Sequence, residues 1–147
     1  MSNLPKFKSE NHVVNGTKVF FTCHPDDFNN YYAIIKEDIL SIQNTNFFYL
    51  EDNEYYPDNK DEYYSYLNDF NLIIIPITNK FLNDKNRAYD IDFEYAINNH
   101  LPILPILVEP SLYDLFNEKC KNIQALDMSN SDPTQEPYKE KLKKSIE

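Results

Sequence analysis

With 147 residues, 24 acidic against 14 basic side chains and a formal charge of −10, the chain is sized for one domain. It lacks the basic surface that a nucleic-acid backbone or an anionic membrane demands. A single glycine, Gly16, excludes the phosphate-loop and dinucleotide fingerprints, which need several glycines where backbone approaches phosphate.

Cys23 and Cys120 lie far apart and make neither a disulfide framework nor a zinc knuckle. No apolar run approaches the ~18 residues of a membrane span, and the polar start MSNLPKFKSE lacks the apolar region of a secretory signal, so none is expected. A reduced, cytoplasmic globular domain is expected.

Residues 1–16 read as a polar lead-in that closes on the turn signal Asn15-Gly16. Lys18 to Thr22 is a buried strand. Pro25-Asp26-Asp27 then opens a helix, because acids in a first turn complement its dipole. Phe28, Tyr31, Tyr32, Ile35, Ile39 and Ile42 continue that helix at amphipathic spacing. Phe47 to Leu50 is a second strand.

The acidic, tyrosine-rich stretch that follows begins as a loop marked by Pro57 and Asp58-Asn59, with a short helix expected from about Asp61 to Asp69. Leu72 to Thr78 (LIIIPIT) is the strongest strand signal. Its Pro76 cannot donate to a ladder, so a local irregularity is expected. Tyr89 to Asn99 reads as a helix and Ile103 to Val108 as a strand with a second proline, Pro105. A short helix from Ser111, its N-cap candidate, to Glu118 follows. Asn122 to Asp127 is a weak fifth strand. SNSDPTQEP is a linker before a charged helix from Tyr138, which stops so abruptly that the chain is expected to be one module of a longer protein.

Near-continuous apolar strands alternating with helices predict an α/β fold. The expected form is a five-stranded parallel sheet, helices on both faces, in the flavodoxin-like order 2-1-3-4-5. Ligands of such sheets bind beyond the carboxyl ends of the strands, at the switch between the first and third. This directs attention to the segments after Thr22, Leu50, Thr78 and Val108.

Several segments in order resemble a Toll/interleukin-1 receptor (TIR) domain over about residues 17–147: VFFTCHPDDF, FFYLEDNEYYP, LIIIPIT, a helix whose acid precedes Ala96 by four residues, and PILPIL. HPDDF and NRAYDIDF resemble bacterial TIR modules fused to helical repeats or to further TIR domains. The resemblance implies one of two activities. One is self-association as a signalling scaffold. The other is cleavage of the N-glycosidic bond of NAD to nicotinamide and ADP-ribose or a cyclic variant, in bacterial stress or antiphage signalling. NAD would be the substrate, with no cofactor, metal, nucleic acid or membrane involved, and other TIR domains would be the partners.

In the enzymes of this family a glutamate on the helix after the third strand faces the nicotinamide ribose, where a carboxylate stabilises an oxocarbenium-like centre. Family spacing to Ala96 and Pro105 places Asp92 at that position. A helical projection agrees: Asp92 falls about 80° from the centre of the buried face formed by Tyr89, Phe93, Ala96, Ile97 and His100, whereas Glu94 falls about 120° away. Asp92 is the expected catalytic carboxylate and Glu94 the alternative. By the same resemblance Thr22, Cys23, Asp27, Phe28, Asp52 and Arg87 are substrate-binding candidates. The plainer readings stand beside these: Asp27 as a helix cap, Arg87 as a partner of neighbouring acids, and the helix acids as a solvated face. Tyr55, Tyr56, Tyr63 and Tyr64 are candidates to stack on a base or a neighbouring subunit.

Three rivals are weaker. His24-Pro25-Asp26-Asp27 resembles the zinc motif of PIG-L-type deacetylases, but the glutamate and glycines that continue the motif are missing. A receiver domain needs an Asp where Thr78 stands. A Cys23 nucleophile lacks a basic cluster to lower its pKa.

Overall fold

The computed structural model describes residues 5–52, 54–109, 112–120, 123 and 125–127. The expected linker, the charged C-terminal helix and the Ser111 cap lie outside them.

The chain folds as an α/β unit on a six-stranded sheet. In chain order the strands are β1 (Phe7–Ser9), β2 (Thr17–Phe21), β3 (Thr45–Leu50), β4 (Leu72–Ile77), β5 (Ile103–Leu107) and β6 (Leu126–Asp127). Across the sheet they run β1-β3-β2-β4-β5-β6. Every neighbouring pair is parallel except β1–β3.

The middle of the sheet explains its stability. All six residues of β4 are buried, and successive side chains go to opposite faces. Leu72 and Ile74 meet Val19, Phe21 and Phe47 on one face, against α1 (Phe28–Leu40). Ile73, Ile75 and Ile77 meet the other face. That face is covered by α2 (Lys60–Leu67), α3 (Asn79–Asn83), a π-helix (Ala88–Phe93), α4 (Glu94–Asn98) and α5 (Tyr113–Lys119). Each such aliphatic side chain contributes about 1.5–3 kcal/mol by leaving water, so two cores back to back need no staple.

Neither proline disturbs the sheet. Ile73 donates to Pro102 O, and Val108 donates to Ile77 O, so the odd residues of β4 and the even residues of β5 face each other. Pro76 therefore turns its missing N–H toward β2, beyond Phe21–Ile74, where the β2–β4 pairing ends. Pro105 turns its own toward β6, ahead of Ile106–Leu126, where that pairing starts. The expected irregularity at Pro76 is absent because no ladder bond is asked of it.

Two further expectations are corrected. Part of the lead-in forms β1, an edge strand pinned by Phe7, whose ring lies 5.5 Å from Phe20 and 5.4 Å from Phe70. Three residues with one apolar side chain carry no periodic signal. His100 is exposed and left-handed (φ 57°), one of the residues that stop α4, and does not join the buried face.

At the Asn15-Gly16 turn, Asn15 takes the left-handed conformation (φ 60°). Gly16 serves close approach: a Cβ there would lie 2.8 Å from Asn46 Nδ2 and 2.9 Å from the Asn44 carbonyl oxygen. The backbone oxygen cannot swing away. Gly16→Ala is expected to lower stability by about 1–3 kcal/mol, read as an equivalent fall in the urea unfolding free energy. An unchanged midpoint would show that the turn relaxes freely.

Candidate functional site

The segments that leave the carboxyl ends of β2, β3 and β4 converge on one cleft of about 380 Å³. Its walls come from His24, Pro25 and Asp26 after β2, Tyr55 and Tyr56 after β3, and Asn86 and Arg87 after α3. Parallel strands present their loops together at this end, and order reversal leaves a crevice beside β2 and β4.

Beneath the cleft lies a buried ionic cluster. Asp92 is fully buried, and both carboxylate oxygens are engaged. Tyr63 OH donates to Oδ1 at 2.6 Å. Thr22 Oγ1 donates to Oδ2 at 2.6 Å, and Arg87 Nε donates to the same oxygen at 3.2 Å. The remaining Arg87 nitrogens donate to Tyr55 O at 3.0 Å and to Thr22 Oγ1 at 2.9 Å. One guanidinium thus ties the end of β2, the loop after β3 and the π-helix. Burial works against the Arg87 charge, but the attraction and hydrogen bond of Asp92, together with the neighbouring Tyr63 and Cys23, outweigh it, and the Arg87 pKa rises. Burial and the same carboxylate push the Tyr63 phenol well above its usual value, so it stays a donor.

The local sequence builds this arrangement. Asn86 accepts the Tyr89 N–H on Oδ1, and its own N–H reaches Asp90 Oδ2 at 3.1 Å, so the helix starts at Arg87. The next residues wind as a π-helix, which packs more residues into each turn than an α-helix. The α-helical projection therefore fails here. Asp92, expected at the rim of the buried face, is rotated wholly inside, and Glu94 faces solvent.

A second polar link stands beside the first. Asp27 is buried, and Thr78 Oγ1 donates to its Oδ2 at 2.5 Å while accepting the Phe81 N–H that starts α3. Burial raises the Asp27 pKa, against the Thr78 hydrogen bond. His24 is buried and lines the cleft. Its Nδ1 accepts the Asp26 N–H at 3.1 Å, and its Nε2 faces Asp84 Oδ2 at 3.2 Å, so both ring nitrogens are occupied. Burial and nearby Asp27 push the Cys23 thiol far up, the reverse of nucleophile activation.

Of the candidate residues, Thr22, Arg87 and Asp92 are in direct contact, and Cys23 and Asp27 adjoin them. Phe28 belongs to the α1 packing, stacked on Tyr32 at 4.7 Å. Asp52 is exposed and closes a turn by accepting the Glu54 N–H. Thr78, Asn86 and the role of Tyr63 carry no sequence signal except at Asn86, where Asn three residues before a helical residue is N-cap chemistry.

Among the described residues, no helix is long and apolar enough to cross a membrane. No protein-family model matches the chain, nor does any curated protein.

Removing one member of a buried ion pair strands the other. Asp92→Ala and Arg87→Ala are each expected to cost about 3–5 kcal/mol. Tyr63→Phe, which removes one donor, is expected to cost about 1–3 kcal/mol. Chemical denaturation of the three variants checks the ranking, and a Tyr63→Phe loss as large as that of Asp92→Ala would contradict it.

Asp27 yields a pH dependence of known sign. Its folded pKa is raised, so its stabilising contribution is full below the ordinary carboxylate value of 3.8 and is lost as pH rises through the folded pKa. Asp27→Asn is therefore expected to raise the melting temperature at pH 7, with the gap closing as the pH falls below the ordinary carboxylate range. A variant less stable than the native chain at pH 7 would reverse that assignment.

Proposed function

We propose that this chain is a TIR domain, with its parallel strands in the flavodoxin-like order 2-1-3-4-5, that hydrolyses the nicotinamide N-glycosidic bond of NAD in bacterial stress or antiphage signalling. The observation that carries the reading is placement: a cleft at the carboxyl ends of the central strands, lined by Tyr55, Tyr56 and Arg87, with Asp92 buried behind the guanidinium. Lys85 and Arg87 offer donors to a phosphate, and the tyrosines suit a flat ring.

In the proposed reaction the bond between ribose C1′ and the nicotinamide nitrogen breaks, and its electron pair leaves with neutral nicotinamide. Asp92 stabilises the oxocarbenium-like ribose. Water adds to C1′ and releases a proton. Asp92 is sealed in the arrangement described, so Arg87 and the Tyr55 carbonyl must part before ribose reaches it. A substrate phosphate that takes the guanidinium removes one donor from Asp92. Assembly that shifts the loop after β3 opens the same path.

The sealed carboxylate also favours a second reading, a self-associating TIR module without activity. The two are separated by following nicotinamide release at high protein concentration, under conditions that force assembly. Asp92→Asn, which keeps an acceptor at the site, is expected to lose about 10²–10⁴-fold in rate, and Glu94→Gln to match the native chain. Loss in the Glu94 variant alone would reassign the carboxylate. An absence of turnover in the assembled native protein would leave the interaction module.

A further inference from the structure

A second cavity, of about 510 Å³, opens beside the cleft and shares Tyr56 and Lys85 with it. Lys60, Lys85 and Lys119 all line it. They come from three separate elements: the start of α2, the loop after α3, and the end of α5. With Asp84 and Asp90 also in the lining, the lysines outnumber the acids there, against the acidic balance of the chain as a whole. Lys8, Lys36, Lys80 and Arg87 each have a carboxylate within 4.0 Å, while Lys6 and Lys18 have none among the described residues.

Around this cavity, no carboxylate among the described residues pairs with Lys60, Lys85 or Lys119. The two acids on its rim face other partners. Asp84 lies 3.2 Å from His24 Nε2, and Asp90 accepts the Asn86 N–H. The walls are anchored in the core. Leu82 is buried, and Tyr89 packs on Phe81 at 5.0 Å between ring centres. The lysines therefore stand on a preformed frame, of a volume usual for small-ligand sites.

We propose that this cavity binds the diphosphate group of a nucleotide, whose ring lies against Tyr56 at the junction with the cleft. Three ammonium groups against the carboxylates of Asp84 and Asp90 leave an excess of positive charge for a diphosphate, and the shared Tyr56 wall lets one ligand reach from the lysines into the cleft. The proposal deepens the NAD reading and rests on it for the continuity of the two cavities. The anion site itself stands on the lysines.

The test is isothermal titration of the whole chain with inorganic pyrophosphate and with ADP, at low and at physiological salt. Pyrophosphate is expected to bind, more weakly as salt rises, and ADP to bind more tightly than pyrophosphate. The Lys60→Glu/Lys119→Glu variant is expected to lose at least tenfold in affinity for both. Lys6→Glu/Lys18→Glu makes the same change in net charge away from the cavity and is expected to retain binding. Equal losses in the two double variants would reduce the effect to net charge and overturn the proposal. So would an absence of pyrophosphate binding at low salt. Because the readout is binding, pyrophosphate held by the lysines in a protein that never cleaves NAD sinks the glycohydrolase reading alone. NAD turnover with lysine-independent ADP affinity sinks only this one.

Discussion

A guanidinium shut away from water must be matched by acceptors, or the structure around it yields. Arg87 is that group here. Its three nitrogens reach a carboxylate, a hydroxyl and a backbone carbonyl on three chain segments that are far apart in sequence. The loop after β3 is held by Tyr55, which is buried in the core with its ring 5.9 Å from Tyr63. The Arg87 contact with the Tyr55 carbonyl adds a second hold on the segment that walls the cleft. The same contact seals Asp92, so the interaction that shapes the cleft also closes its floor.

This coupling frames the functional question physically. A carboxylate with three donors and no exposure is a structural group for as long as those donors stay. Chemistry at Asp92 requires a competitor for Arg87. Anionic ligands compete for guanidinium groups by the same charge-assisted hydrogen bonds that Asp92 uses. Lys85 lines both the cleft and the neighbouring cavity.

The strands and α1 were legible because their signals are local and redundant. LIIIPIT is apolar throughout, and α1 repeats aromatic and aliphatic residues at helical spacing. The prolines looked like a contradiction because a sequence does not say which neighbour a given N–H faces. β1 was illegible, being one phenylalanine among polar residues held by rings from β2 and from beyond α2. The site was legible in part: the chain order of Thr22, Arg87 and Asp92 brought each into view, but not their mutual contact. Phe28 and Asp52 came into view through position alone and serve packing and a turn.

By itself the sequence determined the alternation of strands and helices, the end of the sheet where a site would lie, and the acidic character of the whole. These follow from periodicity and composition, which each segment carries within itself. Tertiary structure alone decided the fate of the carboxylates. A π-helical turn uses the same residues as an α-helical one and leaves the pattern unchanged, yet it moved Asp92 from the rim to the interior. The burial of Asp27 against Thr78 and the convergence of three lysines on one cavity are likewise long-range facts, created only when β2, β4 and the helices beyond them pack together.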